Sequence, residues 1–279
     1  MTNLLSKRET DVLLLLACYR YLGRSQIQEF ILSDASVTAQ SREVIGKRVL
    51  AGLRRRGLVE ATKRLVGGPG GGSTRLGYFL TTQGVKLARS LNPDLPTRRP
   101  TSGGTFLLQH ALMTADVALS FRRAAAVHHG HELLAWECDW QAATRIGSTI
   151  VAPDARLVYA TKDHEIEALV EIDIGTEGTR FFGGKMRRYI ELFRSGQWQK
   201  LMVQWPVVVT VTRSEARAKD LRHCTEMVLR SQPDRGRLLA QTEFAFAALD
   251  QVTADALGII WLIAGRDGRY ALLDGRHLE

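Results

Sequence analysis

The chain of 279 residues is poor in cysteine and has no long apolar run, and each shortage excludes a class of protein. Its three cysteines, Cys18, Cys138 and Cys224, are odd in number and lie far apart in apolar stretches, which favours reduced thiols over disulfides or a zinc site. No segment approaches the roughly 20 apolar residues that span a bilayer, and the first residues lack the basic-then-apolar order of a signal peptide. We therefore expect a soluble, cytoplasmic protein with no membrane partner.

Acidic residues are scarce in the first hundred positions. Residues 1–100 contain 17 Lys or Arg and 7 Asp or Glu, a net charge of +10, whereas residues 101–279 contain 21 and 22, a net charge of −1. Because nucleic-acid backbones attract basic surfaces, the first hundred residues are the candidate nucleic-acid-binding part of the chain.

The order of patterns in this basic part predicts a winged helix-turn-helix domain over residues 1–91. Ser6 and Glu9 form a capping-box pattern ahead of a first helix of about 16 residues. A short second helix follows Ser25, and a third helix begins near Gln40 after a tight polar turn.

A wing is expected after the third helix. A strand pattern starts at Gly57, the glycine-rich segment 67–72 is typical of a flexible tip, and a returning strand starts at Arg75. The run from Arg55 to Gly84 resembles the winged-helix domains of bacterial regulators and plasmid initiators, which implies DNA binding.

The candidate DNA contacts are basic residues on the third helix, at its end and on the wing, where they could meet the grooves and phosphates of a duplex. They are Arg42, Lys47, Arg48, Arg54, Arg55, Arg56, Lys63, Arg64 and Arg75. The alternative is a solvated basic face on a winged helix that binds protein. Since the arginines cluster on the elements that would dock, double-stranded DNA is the favoured partner.

Residues 92–104 are rich in proline and glycine and are expected to form a linker. The patterns that follow predict an αβββαβα order in a second domain over residues 105–279, so the fold class is α+β or α/β. The predicted elements are a helix at 106–127, strands near 132–139, 151–160 and 166–174, a helix at 177–195, a strand at 206–212, a helix at 214–230 and a terminal hairpin after residue 258.

Carboxylates interrupt two apolar strand patterns of this second domain. Burial of an ionised carboxylate costs several kcal/mol unless something pairs with it, so Asp154 and Glu171 suggest a metal, a cation or a water-filled cleft. The short turn 161–165 predicts a hairpin. Its register puts Asp154 opposite Glu171 if the turn centres on Lys162 and Asp163, and opposite Asp173 if the turn centres one residue later.

Either register brings Asp154, Glu171 and Asp173 together, because Glu171 and Asp173 share one face of their strand. Mutual repulsion within such a patch is usually resolved by a bound divalent cation or by a raised pKa, so Mg²⁺ or Mn²⁺ is the possible cofactor. The alternative is an exposed sheet face with ordinary surface charges.

The helix at 177–195 adds a basic residue to an apolar stripe. Phe181, Lys185, Tyr189 and Leu192 share this stripe at helical spacing. Lys185 either extends its stem along apolar surface or reaches the carboxylates, where it would orient an attacking water or neutralise charge on a phosphoryl group. Tyr189 is a further catalytic candidate, as a covalent nucleophile.

These residues resemble the core of the PD-(D/E)xK nuclease-like superfamily. The resemblance implies that Asp154 and Glu171 bind Mg²⁺ and that a lysine assists the water. The superfamily places this lysine two residues after the acid, where this chain has Asp173. Some members move it to the next helix, which would make Lys185 the substitute, although loss of nuclease activity is equally consistent.

A narrower resemblance covers about residues 5–215. The order of winged helix, linker, His110-Ala-Leu-Met, Pro153-Asp-Ala, Glu171-Ile-Asp-Ile-Gly-Thr-Glu and Lys185-Met-x-x-Tyr is similar to the plasmid replication-relaxation family of mobile-element proteins. It implies work on plasmid DNA in replication, mobilisation or relaxation, with a homodimer or other replication and transfer proteins as possible partners. Two functions stay open: a metal-dependent DNA nuclease or nickase, and a non-catalytic regulator or assembly factor with a degenerate nuclease-like domain.

Overall fold

The computed structural model of the chain describes residues 5–32, 38–62, 76–96, 104–146, 149–200, 202 and 204–273. Their contacts divide the chain into two compact units, Met1–Leu119 and Ser120–Glu279. The division falls inside a long helix that starts at Thr105. The linker and domain boundaries inferred from the sequence stay predictions.

The first unit contains the predicted three helices followed by a small antiparallel sheet and a fourth helix. Its strands follow the order β1-β3-β2. Its elements are α1 (Lys7–Tyr19), β1 (Leu22–Gly23), α2 (Arg24–Ile31), α3 (Ala39–Arg55), β2 (Val59–Ala61), β3 (Gly77–Leu80) and α4 (Thr82–Leu91). The turn before α3 and the wing tip, with Lys63, Arg64 and Arg75, lie outside the described residues.

Local hydrogen bonds explain where these helices begin. The Ser6 hydroxyl accepts the Glu9 backbone N–H and the Glu9 carboxylate accepts the Ser6 backbone N–H, which confirms the capping box. The first helix is 13 residues long rather than about 16, because Arg20 adopts a positive φ of 68° and the chain turns into β1. That two-residue strand was not expected from the sequence.

The second unit is built on a six-stranded mixed sheet. Strand order is β11-β10-β9-β8-β7-β4, with β8, β9 and β10 parallel and the other neighbours antiparallel. The elements from the long helix onward are α5 (Thr105–Val127), β4 (Glu132–Cys138), α6 (Asp139–Ala142), β5 (Thr144–Ile146), β6 (Thr149–Val151), β7 (Ala155–Ala160), β8 (Glu165–Asp173), α7 (Thr179–Ser195), a 3-10 turn (Gln197–Lys200), β9 (Val207–Thr212), α8 (Glu215–Arg230), α9 (Arg235–Gln241), β10 (Phe244–Ala248), α10 (Leu249–Ala254) and β11 (Leu262–Ile263).

The predicted αβββαβα order is present, with two corrections. The strand expected over 151–160 is interrupted: β6 pairs with β5 in a separate two-stranded sheet, and β7 starts only after Pro153, which has no N–H to donate. The expected terminal hairpin is reduced to β11 and one bridge between Trp261 and Tyr270. The buried strand β10, which the sequence did not reveal, separates β11 from β9.

One apolar core joins α7 and α8 to the sheet. Phe182, Met186 and Ile190 of α7 are almost completely buried against Val208 and Phe246 of the central strands. This packing fixes α7 over one face of β8, and it therefore decides which side chains of that strand α7 can reach.

No helix among the described residues is long and apolar enough to cross a membrane. The three cysteines are free, as expected, and Cys138 is buried.

Candidate functional site

The hairpin of β7 and β8 sets Asp154 beside Glu171. Ala155 pairs with Val170 and Ala160 with Glu165, so the turn centres on Lys162 and Asp163, which confirms the first of the two predicted registers. The backbone N–H of Asp154 donates to the Val170 carbonyl at 2.9 Å. Its carboxylate accepts the N–H of Ile172 at 2.8 Å, so the next strand fixes the carboxylate position.

Three carboxylates alternate along the face of β8 that meets α7 and α8. Glu167, Glu171 and Asp173 are only 7%, 2% and 6% exposed. The structure shows how these buried charges are tolerated: each carboxylate has a cation of its own, supplied by a different element. The alternative prediction, an exposed sheet face with ordinary surface charges, is therefore wrong.

Glu171 lies at the centre of this row, held by two side chains of α7. The Lys185 ammonium donates to Glu171 Oε2 at 2.8 Å, and it lies 3.9 Å from Glu177 Oε2. The Tyr189 hydroxyl donates a short hydrogen bond to Glu171 Oε1. Lys185 and Tyr189 are four residues apart on one helical stripe, which lets both reach the same carboxylate.

Asp173 is bound by α8. The Arg217 guanidinium donates to both carboxylate oxygens of Asp173, from Nε to Oδ1 at 3.0 Å and from Nη2 to Oδ2 at 2.8 Å. The N–H of Gly175 also donates to Asp173 Oδ1 at 2.8 Å, and Gly175 has a positive φ of 81°. The guanidinium already compensates the charge of Asp173, so this carboxylate has less need of a further cation than Glu171.

Glu167 is held from β7. Arg156 bridges Glu167 and Glu137 with two hydrogen bonds of 3.0 Å. Burial raises the pKa of Glu167, and the charge of Arg156 only partly opposes the shift. One Glu167 oxygen and the Arg156 Nε are buried without a hydrogen-bond partner among the described residues.

The electrostatics around Glu171 favour an additional positive charge. Burial raises the pKa of Glu171 to about 7; Lys185 and Tyr189 oppose the shift, and the charge of Asp154 adds to it. Burial alone would lower the pKa of Lys185, but the charges of Glu171 and Asp154 raise it above its ordinary value. The two shifts differ in their main cause: burial disfavours the charged form of Glu171, whereas the nearby carboxylates favour the charged form of Lys185.

Burial, together with the charge of Glu171, also raises the pKa of Tyr189 well above its ordinary value. Tyr189 is 1% exposed and therefore stays protonated as a hydrogen-bond donor. In this geometry it positions Glu171.

The predicted apolar stripe of α7 needs one correction. Tyr189 and Leu192 are buried and Lys185 is half-buried, as expected, but Phe181 is 57% exposed. The buried face is centred instead on Phe182, because the contact with the sheet lies about 100° around the helix from Phe181. Phe181 thus projects from the helix one turn before Lys185.

The predicted metal ligands are near one another but are individually engaged. Among the described residues, no three His, Cys, Asp or Glu side chains are arranged as a metal site. Asp154 and Glu171 remain the pair with a shared neighbourhood, whereas Asp173 is bound to Arg217. The metal and catalytic roles of these residues stay predictions.

The candidate DNA contacts that the structure describes lie on α3 and just after it. Arg48, Arg54 and Arg55 are exposed and form no salt bridge with a carboxylate in the described part of the chain. Lys47 is paired with Glu43 at 2.7 Å. Arg42 and Arg56 are half-buried, and Arg56 lies 3.7 Å from the carboxylate of Glu9.

Sequence reasoning found Lys185 but missed the acid Glu167 and the two arginines, Arg156 and Arg217. Glu167 could have been found, because it lies four residues before Glu171 on the same face of a strand. Arg156 faces the same side from the paired strand. No sequence pattern indicates that Arg217 pairs with Asp173, since this contact depends on how α8 packs on the sheet.

Asp173→Asn should lower the free energy of unfolding by about 3 kcal/mol, because the amide leaves the Arg217 guanidinium without its carboxylate. Asp163→Asn, the same change in the exposed turn, should cost less than about 0.5 kcal/mol. Urea unfolding of both variants measures the difference. Equal costs would show that the Arg217 pair does not stabilise the fold and would free Asp173 for a ligand role.

A sequence profile of the replication-relaxation family matches residues 13–208, which is more than half of the chain. No curated protein sequence matches. Among solved structures, the restriction endonuclease FokI bound to DNA aligns at 9% identity over 88% of this chain and 69% of its own, with a TM-score of 0.24. That score is too low to support a statement about fold or function. On the strength of the profile match, the chain belongs to the replication-relaxation family.

Proposed function

We propose that the protein binds double-stranded DNA of a plasmid or another mobile element and cleaves a phosphodiester of that DNA with Mg²⁺ or Mn²⁺, in replication, mobilisation or relaxation. The observation that carries the proposal is the placement of Lys185, whose ammonium lies 2.8 Å from Glu171, beside Asp154. Two acids on paired strands and a lysine on the next helix are what the PD-(D/E)xK resemblance requires when the lysine has moved.

DNA binding is assigned to the first unit. Its helix α3 presents Arg48, Arg54 and Arg55 to solvent, and its net charge supplies the attraction to a duplex that sequence-independent binding needs. Lys63, Arg64 and Arg75 would add phosphate contacts from the wing, although these three lie outside the described residues. A winged helix that binds protein would not need this cluster of unpaired arginines.

Arg54→Glu/Arg55→Glu should weaken binding of a labelled DNA duplex more than about tenfold and lower the salt dependence of log K by about 2, since two phosphate contacts are lost. Lys86→Glu/Arg89→Glu, the same charge change on the exposed side of α4, is the matched control. Fluorescence anisotropy across a salt series measures both. Equal affinities for the two double variants would remove α3 as the DNA surface.

The residues at the site fit a divalent cation. Asp154 and Glu171 offer carboxylate oxygens, the hard ligands that Mg²⁺ and Mn²⁺ prefer, and the site has a net negative charge. Lys185 and Tyr189 each occupy one Glu171 oxygen, but a carboxylate oxygen retains capacity for a second partner. A bound cation would supply charge to a phosphodiester oxygen and lower the pKa of a bound water.

Lys185 has the role closest to the chemistry. Its side chain is 24% exposed, whereas that of Glu171 is 2% exposed, so a substrate reaches the ammonium before it reaches Glu171. From this position it can orient an attacking water and offset the negative charge that develops on the phosphoryl group. Glu171 keeps the ammonium in place, and Tyr189 keeps Glu171 in place.

A covalent role for Tyr189 is the alternative within the enzyme proposal. It requires the hydroxyl to leave Glu171 and become accessible, although it is fully buried here. Denaturing electrophoresis of the protein after incubation with plasmid would show a protein–DNA adduct that Tyr189→Phe abolishes. No adduct is expected if Tyr189 only positions Glu171.

A non-catalytic assembly factor is the second candidate function. Asp173 favours it, because an acid bound to Arg217 stands where the resemblance expects the catalytic lysine. In this case the three ion pairs along β8 would only stabilise the sheet against its helices. The two candidates differ in whether supercoiled plasmid is nicked when Mg²⁺ or Mn²⁺ is present and duplex binding is intact.

A further inference from the structure

The outer face of α7 is strongly basic although its unit as a whole is not. Arg180, Arg187 and Arg188 are exposed, and none forms a salt bridge with a carboxylate among the described residues. Arg194, further along the helix, forms a salt bridge with Asp234. The charge of Glu191 also raises the pKa of Arg194. Three guanidinium groups without a salt bridge to a described carboxylate therefore project from the helix that carries Lys185.

A glycine lies in the middle of this basic face. Gly184 is four residues after Arg180 and three to four before Arg187 and Arg188, so it shares their side of the helix. A Cβ at this position would meet no described atom within 4 Å. Glycine inside a helix costs about 1 kcal/mol relative to alanine, and internal packing does not account for it here.

An exposed aromatic ring borders the same face on the side of the carboxylates. Phe181 is 57% exposed, and it lies one helical turn before Lys185. On the other side, Arg180 and Arg187 line a groove of about 590 Å³ against α8, whose opposite wall includes Asp220, His223 and Met227. Arginines beside an accessible aromatic ring are the combination that binds single-stranded nucleic acid, through phosphates and base stacking respectively.

We infer that the outer face of α7 binds a single strand of DNA. Arg180, Arg187 and Arg188 hold its phosphates, the backbone approaches the helix at Gly184, and Phe181 stacks on an unpaired base beside Lys185. Arg180 and Arg187 are about 10 Å apart along the helix axis, so the three guanidinium groups can contact more than one phosphate of a strand that follows the helix. The inference rests on the proposed function only in taking DNA as the partner, because its surface is separate from α3.

The test uses the full chain and a labelled oligothymidine, with binding measured by anisotropy over a salt series. Arg180→Gln/Arg187→Gln/Arg188→Gln should weaken binding more than tenfold and lower the salt dependence of log K by about 2, since single strands lose about 0.7 per phosphate contact. Phe181→Ala should weaken binding about fivefold or more through lost stacking. Phe106→Ala, at a 63% exposed ring of α5, is the matched control.

Gly184→Ala separates a binding role from a structural one. The added methyl should raise the melting temperature, because it meets open space and favours helix, yet it should weaken oligothymidine binding because it projects toward the strand. A raised melting temperature with unchanged oligothymidine binding would show that the DNA backbone does not approach the helix closely at Gly184.

The outcomes also separate this inference from the proposed function. Arg54→Glu/Arg55→Glu should reduce duplex binding and leave oligothymidine binding unchanged, whereas the α7 variants should reduce oligothymidine binding. Wild-type protein that does not bind oligothymidine, or binding that survives both the triple arginine variant and Phe181→Ala, would overturn the inference while leaving duplex binding by α3 intact. Duplex binding that is unchanged in Arg54→Glu/Arg55→Glu, with oligothymidine binding lost in the α7 variants, would overturn only the assignment of the duplex to α3.

Discussion

Lys185→Ala should lower the rate of Mg²⁺- or Mn²⁺-dependent nicking of supercoiled plasmid by at least about a hundredfold, with duplex binding unchanged. The reason is geometric. Among the described residues, Lys185 is the cation that pairs with Glu171, at 2.8 Å, and its side chain is more exposed than that of Glu171. Without it, nothing in the described site orients a water or offsets phosphoryl charge.

Agarose electrophoresis of the supercoiled, nicked and linear plasmid forms measures this effect. Lys219→Ala is the matched control, because Lys219 is an exposed lysine of α8 that pairs with Glu215 at 2.7 Å, away from Glu171. The nicking rate of Asp154→Asn should be as low as that of Lys185→Ala, whereas the nicking rate of Lys219→Ala should equal that of wild type. Nicking that persists in Lys185→Ala would remove the assigned role, and wild-type protein that binds duplex but nicks under neither metal would establish the non-catalytic alternative.

Glu171→Gln should abolish a pH dependence of stability that the wild-type protein shows between about pH 4.5 and 7. Burial raises the pKa of Glu171 to about 7 in the folded chain. A group whose folded pKa is raised contributes stability that is fully present below its unfolded pKa and is lost as the pH rises through the folded value. Wild-type protein should therefore lose about 3 kcal/mol of unfolding free energy on going from pH 4.5 to 8 without metal.

The glutamine variant keeps the shape of Glu171 without its charge. Its amide can still accept the Tyr189 hydroxyl, and Asp154 remains near Lys185 as a counter-charge. We expect the variant to be more stable than wild type at pH 8 and nearly equal at pH 5. Glu132→Gln, at an exposed position of the edge strand β4, is the control and should leave the wild-type pH profile unchanged. Urea unfolding in EDTA at several pH values makes the comparison.

The same variant links stability to cation binding. A divalent cation that binds only the folded chain should restore stability to wild type at pH 8, because it supplies the positive charge that the site lacks. Glu171→Gln should not respond. Wild-type stability that is flat with pH would show that Lys185 alone compensates both carboxylates, and the electrostatic reason for a cation would disappear.

Local patterns were sufficient to predict much of this fold. Spacing of apolar residues predicted α3, α7 and α8, because each of these helices buries one face. The helix α5 was predicted from an apolar segment that is buried on nearly all sides over residues 111–121. The turn 161–165 limited the hairpin to two registers, and the structure has one of them. The strand β10 was missed because its five residues are all buried and show no alternation.

The candidate site was only partly predictable for a related reason. Alternation along β8 placed Glu171 and Asp173 on one face, and helical spacing placed Lys185 within reach. Which cation serves which acid depends on tertiary packing: Lys185 reaches Glu171 from α7, and Arg217 reaches Asp173 from α8. Phe181 was assigned to the buried stripe because the sequence does not show which of two adjacent apolar residues, Phe181 or Phe182, faces the sheet.

The proposed cleavage site depends on one physical claim: Asp154 and Glu171 together bind a divalent cation beside Lys185. A crystal of the full chain grown at pH 8 and soaked in Mn²⁺, with data collected at the manganese absorption edge, tests it directly. We predict one anomalous peak within about 2.5 Å of carboxylate oxygens of Asp154 and Glu171, with Asp173 still bound to Arg217. A map with no peak at these two residues, or with manganese bound elsewhere only, would contradict the account.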